Sequence, residues 1–580
     1  MAAPLDLPTE VFTQIFSLIP HHQLTSCALV SKLWYAQATP ILYQNIDLTW
    51  SRPTKICDRS GNNMHPDPCP CEQGGKCMPE QHDSVDSTVE WWERRHLNMA
   101  PCLVQLSCAS EQWPLLFALT KTLVYSPSLA RLVRHLRLTG PVPRSIWTTP
   151  QRTSLSRNEC RRVESILPFE SHMSKTGWLR RLDNGCPHAF AALLLVCVPD
   201  LRSLELGPQF QDSLQILGRR TLARTLQHLD VAAVGITQTT VWMGSGRAPF
   251  PQSDDFPQLL LLHLAGIRSL TLTLPRPRNF DLSSHIDCGT LMTCLETLEL
   301  AFTFIDEYNL GHLLRICPCL RTLKYDYWTQ PVTRDPHGLH GARYIPDRFS
   351  ERLVQTQVLQ SSLNIVRGSL KTLHIHIVKP FDGFNQNLRS IDFSQFESLT
   401  ELHAPLQLLV CKDSPSSLTD SLPPSLRHLW LNDDATRLWL NHDYLMSPQD
   451  FDVEGQVNPV DDPLWHPIYT DREVVEIILP FLSDWRTHVP DLQVLKMLFD
   501  HVHCASRHPR NIHYLRRILE PAGRMADIHT TVTLLNGRYY SRNGGKLPPY
   551  FSEERIVERL CHNCDRLTGT MRIYDPDTDE

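Results

Sequence analysis

The feature that most constrains this chain is a short leucine pattern that returns along most of its length. An apolar residue, two free positions, a leucine, one free position and a further apolar residue occur together at Val133-Leu136-Leu138, Leu201-Leu204-Leu206, Leu226-Leu229-Val231, Ile267-Leu270-Leu272 and Leu295-Leu298-Leu300. The pattern continues at Leu320-Leu323-Tyr325, Leu370-Leu373-Ile375, Leu399-Leu402-Ala404, Leu426-Leu429-Leu431 and Leu492-Leu495-Met497. Five of the intervals between central leucines are 25, 28, 25, 29 and 27 residues, and the others (68, 41, 50 and 66) are long enough to hold insertions or degenerate copies. Scattered leucines would not gather near one period. A unit of this size cannot bury its own apolar face, so the chain must stack its units on one another.

Each unit has a physical logic. The central leucine and its i+2 partner point into a core from a short strand, and the alternate residues point the other way. The return segment is expected to be helical at His188 to Val196, Tyr308 to Ile316 and Arg472 to Trp485, each followed by a proline. Trp113 to Leu123 reads as a further helix before the first clear strand. The period and pattern are those of leucine-rich repeats. The expected fold class is α/β, an irregular leucine-rich-repeat solenoid or horseshoe over residues 91–510, with a C-terminal cap and tail over 511–580.

Before the array comes a different kind of sequence. Val11, Ile15, Leu18 and Ile19 fall at helical spacing, with Phe12 and Phe16 beside them. Pro8 suits a first turn, and Pro20 with the two histidines after it closes the helix. Leu24 to Val30 is a second short apolar run. A third helix opens on Ser31 as N-cap, carries Leu33, Trp34 and Tyr35, and is expected to stop before Pro40. Three short helices cannot hide this many large side chains among themselves, so the surplus needs an outside partner.

Leu7-Pro8-x-Glu10-Val11, Ile15-Phe16 and Cys27-Ala28-Leu29-Val30-Ser31-Lys32-x-Trp34 together resemble the F-box family over about residues 4–48. The resemblance implies an N-terminal three-helix F-box domain over residues 1–48. It implies that Leu7, Pro8, Ile15, Leu24, Cys27, Val30 and Trp34 contact or support a surface for the S-phase-kinase-associated (Skp-family) adaptor, which joins a cullin scaffold. With the repeats, the chain resembles F-box proteins that carry divergent leucine-rich repeats, of fungal type.

Residues 49–90 are rich in Cys, Pro, Gly, Asp and Ser and read as a flexible linker. The linker holds Cys57, Cys69, Cys71 and Cys77, which invite a zinc reading. Their spacing lacks the paired C-x₂₋₄-C of common zinc folds, and Cys561-His562-Asn563-Cys564 lacks a second pair. No metal and no cofactor are therefore expected. Eighteen cysteines in 580 residues are too sparse for a disulfide scaffold, and Cys27, Cys197 and Cys317 sit in apolar segments. No stretch is long and apolar enough to span a bilayer, and the N-terminus lacks the form of a secretory signal. A net charge of −6, spread along the chain, argues for neither a nucleic-acid nor a membrane partner. A cytoplasmic or nuclear protein is expected.

Catalytic signatures are absent: there is no phosphate loop, no nucleophile elbow and no H-E-x-x-H helix. Gly244-Ser245-Gly246 reads as a turn. His374 and His376, and likewise His501 and His503 beside Cys504, read as surface or concave-face histidines rather than ligands. No enzyme is expected. Lys324, Asp326 and Trp328, together with Trp430, are candidate substrate-binding residues on the outward strand positions of the concave face. The function these readings imply is that of a substrate-recognition subunit of an SCF-type ubiquitin ligase, with a target protein on the repeats. The alternatives are a non-degradative interaction scaffold and a zinc-dependent regulator centred on the linker cysteines.

Overall fold

A computed structural model describes residues 9–49, 113–139, 156–167, 175–207, 210–235, 257–274, 282, 291–303, 305–328, 355–378, 390–410, 418–432, 470–500 and 512–535. They belong to two compact units, Met1–Thr237 and Gln238–Glu580. Among the described residues no helix is long and apolar enough to cross a membrane.

The first unit opens with α1 (Thr9–Leu18), α2 (His21–Ala28) and α3 (Lys32–Gln44). Two boundaries differ from the sequence expectation. The histidines after Pro20 open α2 instead of closing α1, with Pro20 at its N-cap and its carbonyl accepting from the Gln23 N–H at 2.8 Å. Ser31 does cap α3, its hydroxyl accepting from the Trp34 N–H at 3.2 Å, but the helix runs through Pro40 to Gln44. A proline inside a helix forfeits a hydrogen bond and costs about 3 kcal/mol. Ile41 and Leu42, packed on the bundle core beyond it, offset that cost.

α3 leads directly into β1 (Asn45–Thr49), which pairs in parallel with β2 (His135–Thr139); β3 (Ser203–Leu206) and β4 (Val231–Val234) follow in order. The ladder therefore begins inside the segment read as F-box. Helices Trp113–Tyr125, Pro187–Cys197 and Gln211–Thr225 lie between these strands in sequence. Trp178 is fully buried and donates its indole N–H to the Ala189 carbonyl at 3.2 Å, which meets its one polar need. The copy read as Leu226-Leu229-Val231 is out of frame by three residues. Ala232 and Val234, not Leu229 and Val231, stand beside Leu204 and Leu206. Val231 points to solvent and Leu229 is buried just before the strand.

The second unit holds β5 (Ser269–Leu272), β6 (Thr297–Thr303), β7 (Thr322–Trp328), β8 (Thr372–Val378), β9 (Glu401–Pro405), β10 (His428–Asn432), β11 (Val494–Asp500) and β12 (His529–Leu535). Each pairs in parallel with the next. Leu270, Leu298, Leu323, Leu373, Leu402, Leu429 and Leu495 stand side by side in register and are all fully buried. At the strand spacing of about 4.8 Å they form one continuous apolar row, each side chain contributing about 1.5–3 kcal/mol by burial. Tyr325 takes an apolar place in the neighbouring row, and its hydroxyl donates to the Ile305 carbonyl at 2.7 Å.

Helices Glu307–Arg315, Thr356–Leu363, Asp471–His488 and Ile512–Met525 form return segments, the first and third where the leucine spacing placed them. Thr470 opens the third with a reciprocal capping box to Glu473. The last helix and β12 extend the ladder into the region read as cap and tail. Thr530 there occupies the place of the leucine, beside Leu495, and this substitution hid the strand from the pattern.

Candidate functional site

The α1–α3 bundle has a very small interior. Phe16, Leu24 and Ala38 are buried, and Phe12, Ile19, Cys27, Ala28, Trp34, Ile41 and Leu42 pack partly against them. Trp34 meets Phe16 edge-on with ring centroids 5.4 Å apart. Outside this core lie Ile15 and Leu18 on α1, Leu29 and Val30 on the α2–α3 turn, and Leu33 and Tyr35 on the first turns of α3. They are large apolar or aromatic side chains between 43% (Ile15) and 86% (Leu29) exposed. Six large side chains facing water on a bundle with three fully buried residues make the kind of exposed apolar patch that marks an interaction surface.

The residues assigned to the adaptor surface divide accordingly. Ile15 and Val30 are exposed and free to meet a partner. Leu24 is buried, and Cys27 and Trp34 are half-buried against the core, so these three support the surface from beneath. Leu7 and Pro8 lie outside the described residues. Leu18, Leu29, Leu33 and Tyr35 were not singled out as surface residues, because periodicity reports that apolar side chains share a helix face and not whether anything covers it.

On the second unit, the strand face opposite the leucines carries a column in register: Glu299, Lys324, His374, His403, Trp430 and Lys496. Lys324 Nζ lies 3.4 Å from Glu299 Oε2. The His374 and His403 rings stack 3.7 Å apart, and His403 stacks on Trp430 at the same distance. Lys496 Nζ sits 4.2 Å from the centre of the Trp430 ring, a cation–π contact. One step along the strands, His376 Nδ1 and Asp326 Oδ1 are 2.7 Å apart, both residues buried.

Next to the column, Glu401 accepts from His403 Nε2 at 3.1 Å and lies 3.5 Å from His374 Nε2. The His374 imidazole beside it and the hydrogen bond from His403 hold the Glu401 carboxyl well below the usual carboxylate range. Burial pushes His403 down to about 3, against the pull of Glu401, so the imidazole is neutral at physiological pH.

The candidate residues on the outward strand positions lie among partners. Asp326 is buried against His376, Lys324 is half-buried against Glu299, and Trp430 is half-buried between an imidazole and an ammonium group. Trp328 ends β7 opposite Val378. His374 and His376 do share one face, as alternation requires, but both are buried and not surface histidines. Parallel pairing sets equivalent positions of successive strands side by side, so their outward side chains engage one another. Cys57, Cys69, Cys71 and Cys77, the Cys561–Cys564 group, His501, His503 and Gly244 to Gly246 lie outside the described residues.

No curated protein matches the chain. A family model described as F-box-like matches residues 4–49, a segment whose described residues, 9–49, form α1–α3 and β1. The exposed apolar side chains of the N-terminal bundle are thus those of an F-box-like domain.

Proposed function

We propose that the chain is a substrate-recognition subunit of an SCF-type ubiquitin ligase, acting in the cytosol or nucleus. Its F-box-like domain docks a Skp-family adaptor, and through it a cullin. Its parallel strands belong to a leucine-rich-repeat solenoid that holds a target protein. The observation that carries this reading is the conjunction at the N-terminus: an F-box-like match over residues 4–49 on a bundle that leaves six large apolar or aromatic side chains facing water. Covering that surface by an adaptor would remove the apolar exposure that the three short helices cannot remove themselves.

The strand register of the second unit, with a leucine at the same position in seven consecutive strands, supports the solenoid reading. Such a subunit has no chemistry of its own. It works by proximity, raising the local concentration of a target lysine beside a charged conjugating enzyme.

The test is reconstitution from purified full chain, adaptor and cullin. A ternary complex on size exclusion that also supports ubiquitin transfer to a captured protein is the expected result. An adaptor complex that excludes the cullin would instead make the chain a non-degradative scaffold. A chain that ignores the adaptor would end both readings.

A further inference from the structure

Glu401 and His403 sit two residues apart on β9, so strand alternation puts both side chains on one face. The pairing of β8 with β9 sets His374 directly beside His403. The Nε2 atoms of both histidines face the same oxygen, Glu401 Oε1, at 3.5 and 3.1 Å. One ligand atom from each of the three residues falls within 4.8 Å of the others.

Two imidazoles and a carboxylate converging from adjacent strands of a rigid sheet are the donor set that borderline divalent transition ions favour, and one that calcium and magnesium, which take oxygen ligands, do not. We propose that His374, Glu401 and His403 form a binding site for a divalent transition-metal ion of the Zn²⁺ class, with a fourth position left for an outside ligand.

The stacked rings determine how the ion is taken up. Imidazole lone pairs lie in the ring plane, and the His374 and His403 planes are parallel within 5° at 3.7 Å, so both cannot aim at one ion in that pose. His403 is clamped on its other face by Trp430. On this proposal one ring must turn out of the stack to bind, and the Trp430 contact on His403 assigns that turn to His374. Both histidines are buried and Glu401 is part-exposed, which leaves the carboxylate as the side from which an ion arrives. The site is invisible as a motif, since His374 is about one repeat away from the Glu401-x-His403 pair.

The experiment uses the full chain in a Cys57→Ser, Cys69→Ser, Cys71→Ser, Cys77→Ser background, stripped with chelator and dialysed against Zn²⁺. Bound zinc is counted by elemental analysis, and Co²⁺ absorption reports the ligand type. One zinc per chain is expected, with a Co²⁺ spectrum free of thiolate charge transfer. Glu401→Gln, which preserves shape, should weaken binding by about tenfold or more, and His374→Ala should remove it. Zn²⁺ should raise the melting temperature of the background chain more than that of Glu401→Gln at the same concentration. A background chain that binds no zinc would overturn the proposal. So would one whose zinc content is unchanged by His374→Ala and Glu401→Gln, both still folded by circular dichroism.

Discussion

Replacing Leu29 and Leu33 together by alanine tests the exposed apolar face of the F-box-like domain separately from its core. Leu29 follows α2 with a right-handed helical backbone, and Leu33 lies in the first turn of α3, so alanine fits both backbones without strain. Full burial of a leucine is worth about 1.5–3 kcal/mol. With 86% of Leu29 and 51% of Leu33 in water, a partner that covers both would gain roughly 2–4 kcal/mol. Alanine keeps its methyl group, and association has its own ordering costs. The expected loss is therefore about 2 kcal/mol, or ~30-fold in Kd. Stability should change by no more than about 1 kcal/mol, since Leu29 is almost wholly in water and only about half of Leu33 is covered by the fold. Calorimetric titration with purified adaptor, alongside thermal melts, reads both quantities. Leu24→Ala is the contrast: it removes a buried side chain from the bundle core and should cost about 2–5 kcal/mol of stability. If the double variant binds the adaptor as tightly as the parent chain, the exposed leucines are not the docking face.

Further predictions concern the two units separately. Leu402→Ala, between Leu373 and Leu429 in the buried row, should cost about 2–5 kcal/mol and raise hydrogen exchange in β8, β9 and β10; a loss under about 1 kcal/mol would contradict the continuous row. His188 is buried, and burial holds its folded pKa below 6.5 despite Asp212 3.6 Å away. The unfolded chain then binds the extra proton, so stability is complete above pH 6.5 and declines as pH falls below it, by at most about 1.4 kcal/mol per unit. His188→Leu should flatten that decline in urea melts at pH 7.5 and 5, and an unchanged pH dependence would refute the assignment. Burial pushes the Cys197 and Cys317 thiols up to about 12, whereas Cys294 and Cys319 are exposed. Alkylation of the native chain followed by peptide mapping should mark Cys294 and Cys319 ahead of the part-buried Cys197 and the buried Cys317; equal labelling would count against the described packing.

How much of this was legible in the sequence depends on which neighbours set a residue's environment. The leucine rows were legible, because a strand period of two inside a repeat of about 27 residues fixes which side chains meet the core. The frame failed where the core residue was small or polar: Ala232 beside Leu204, and Thr530 beside Leu495. Pro40 misled because a local rule against proline ignores tertiary packing, here of Ile41 and Leu42 on Phe16 and Leu24. In the N-terminal bundle the apolar content of α1–α3 was plain, yet Leu18 and Phe16 belong to one apolar helix and only Phe16 is covered. Period cannot tell an occupied groove from a waiting one.

The outward face of the second unit was the least legible part, and the reason is geometric. Along one strand an outward residue has only the leucine-face residues beside it, so Lys324, Asp326 and Trp430 read as isolated groups in water. Across the sheet, its nearest neighbours are the equivalent residues of the strands on either side, about 4.8 Å away and some 25 or more residues distant in sequence. Glu299 therefore neutralises Lys324, His374 and His403 stack, and Lys496 caps Trp430. The charge and affinity of this face belong to columns and not to residues. Any ligand that settles on it, protein or ion, must break or bridge pairs that already satisfy each other, and its specificity will follow which pair it can most cheaply open. The His374–His403 stack is the point of the column where two imidazoles and a carboxylate come within reach of one another, so the proposed metal site would open there and not at the tryptophan next to it.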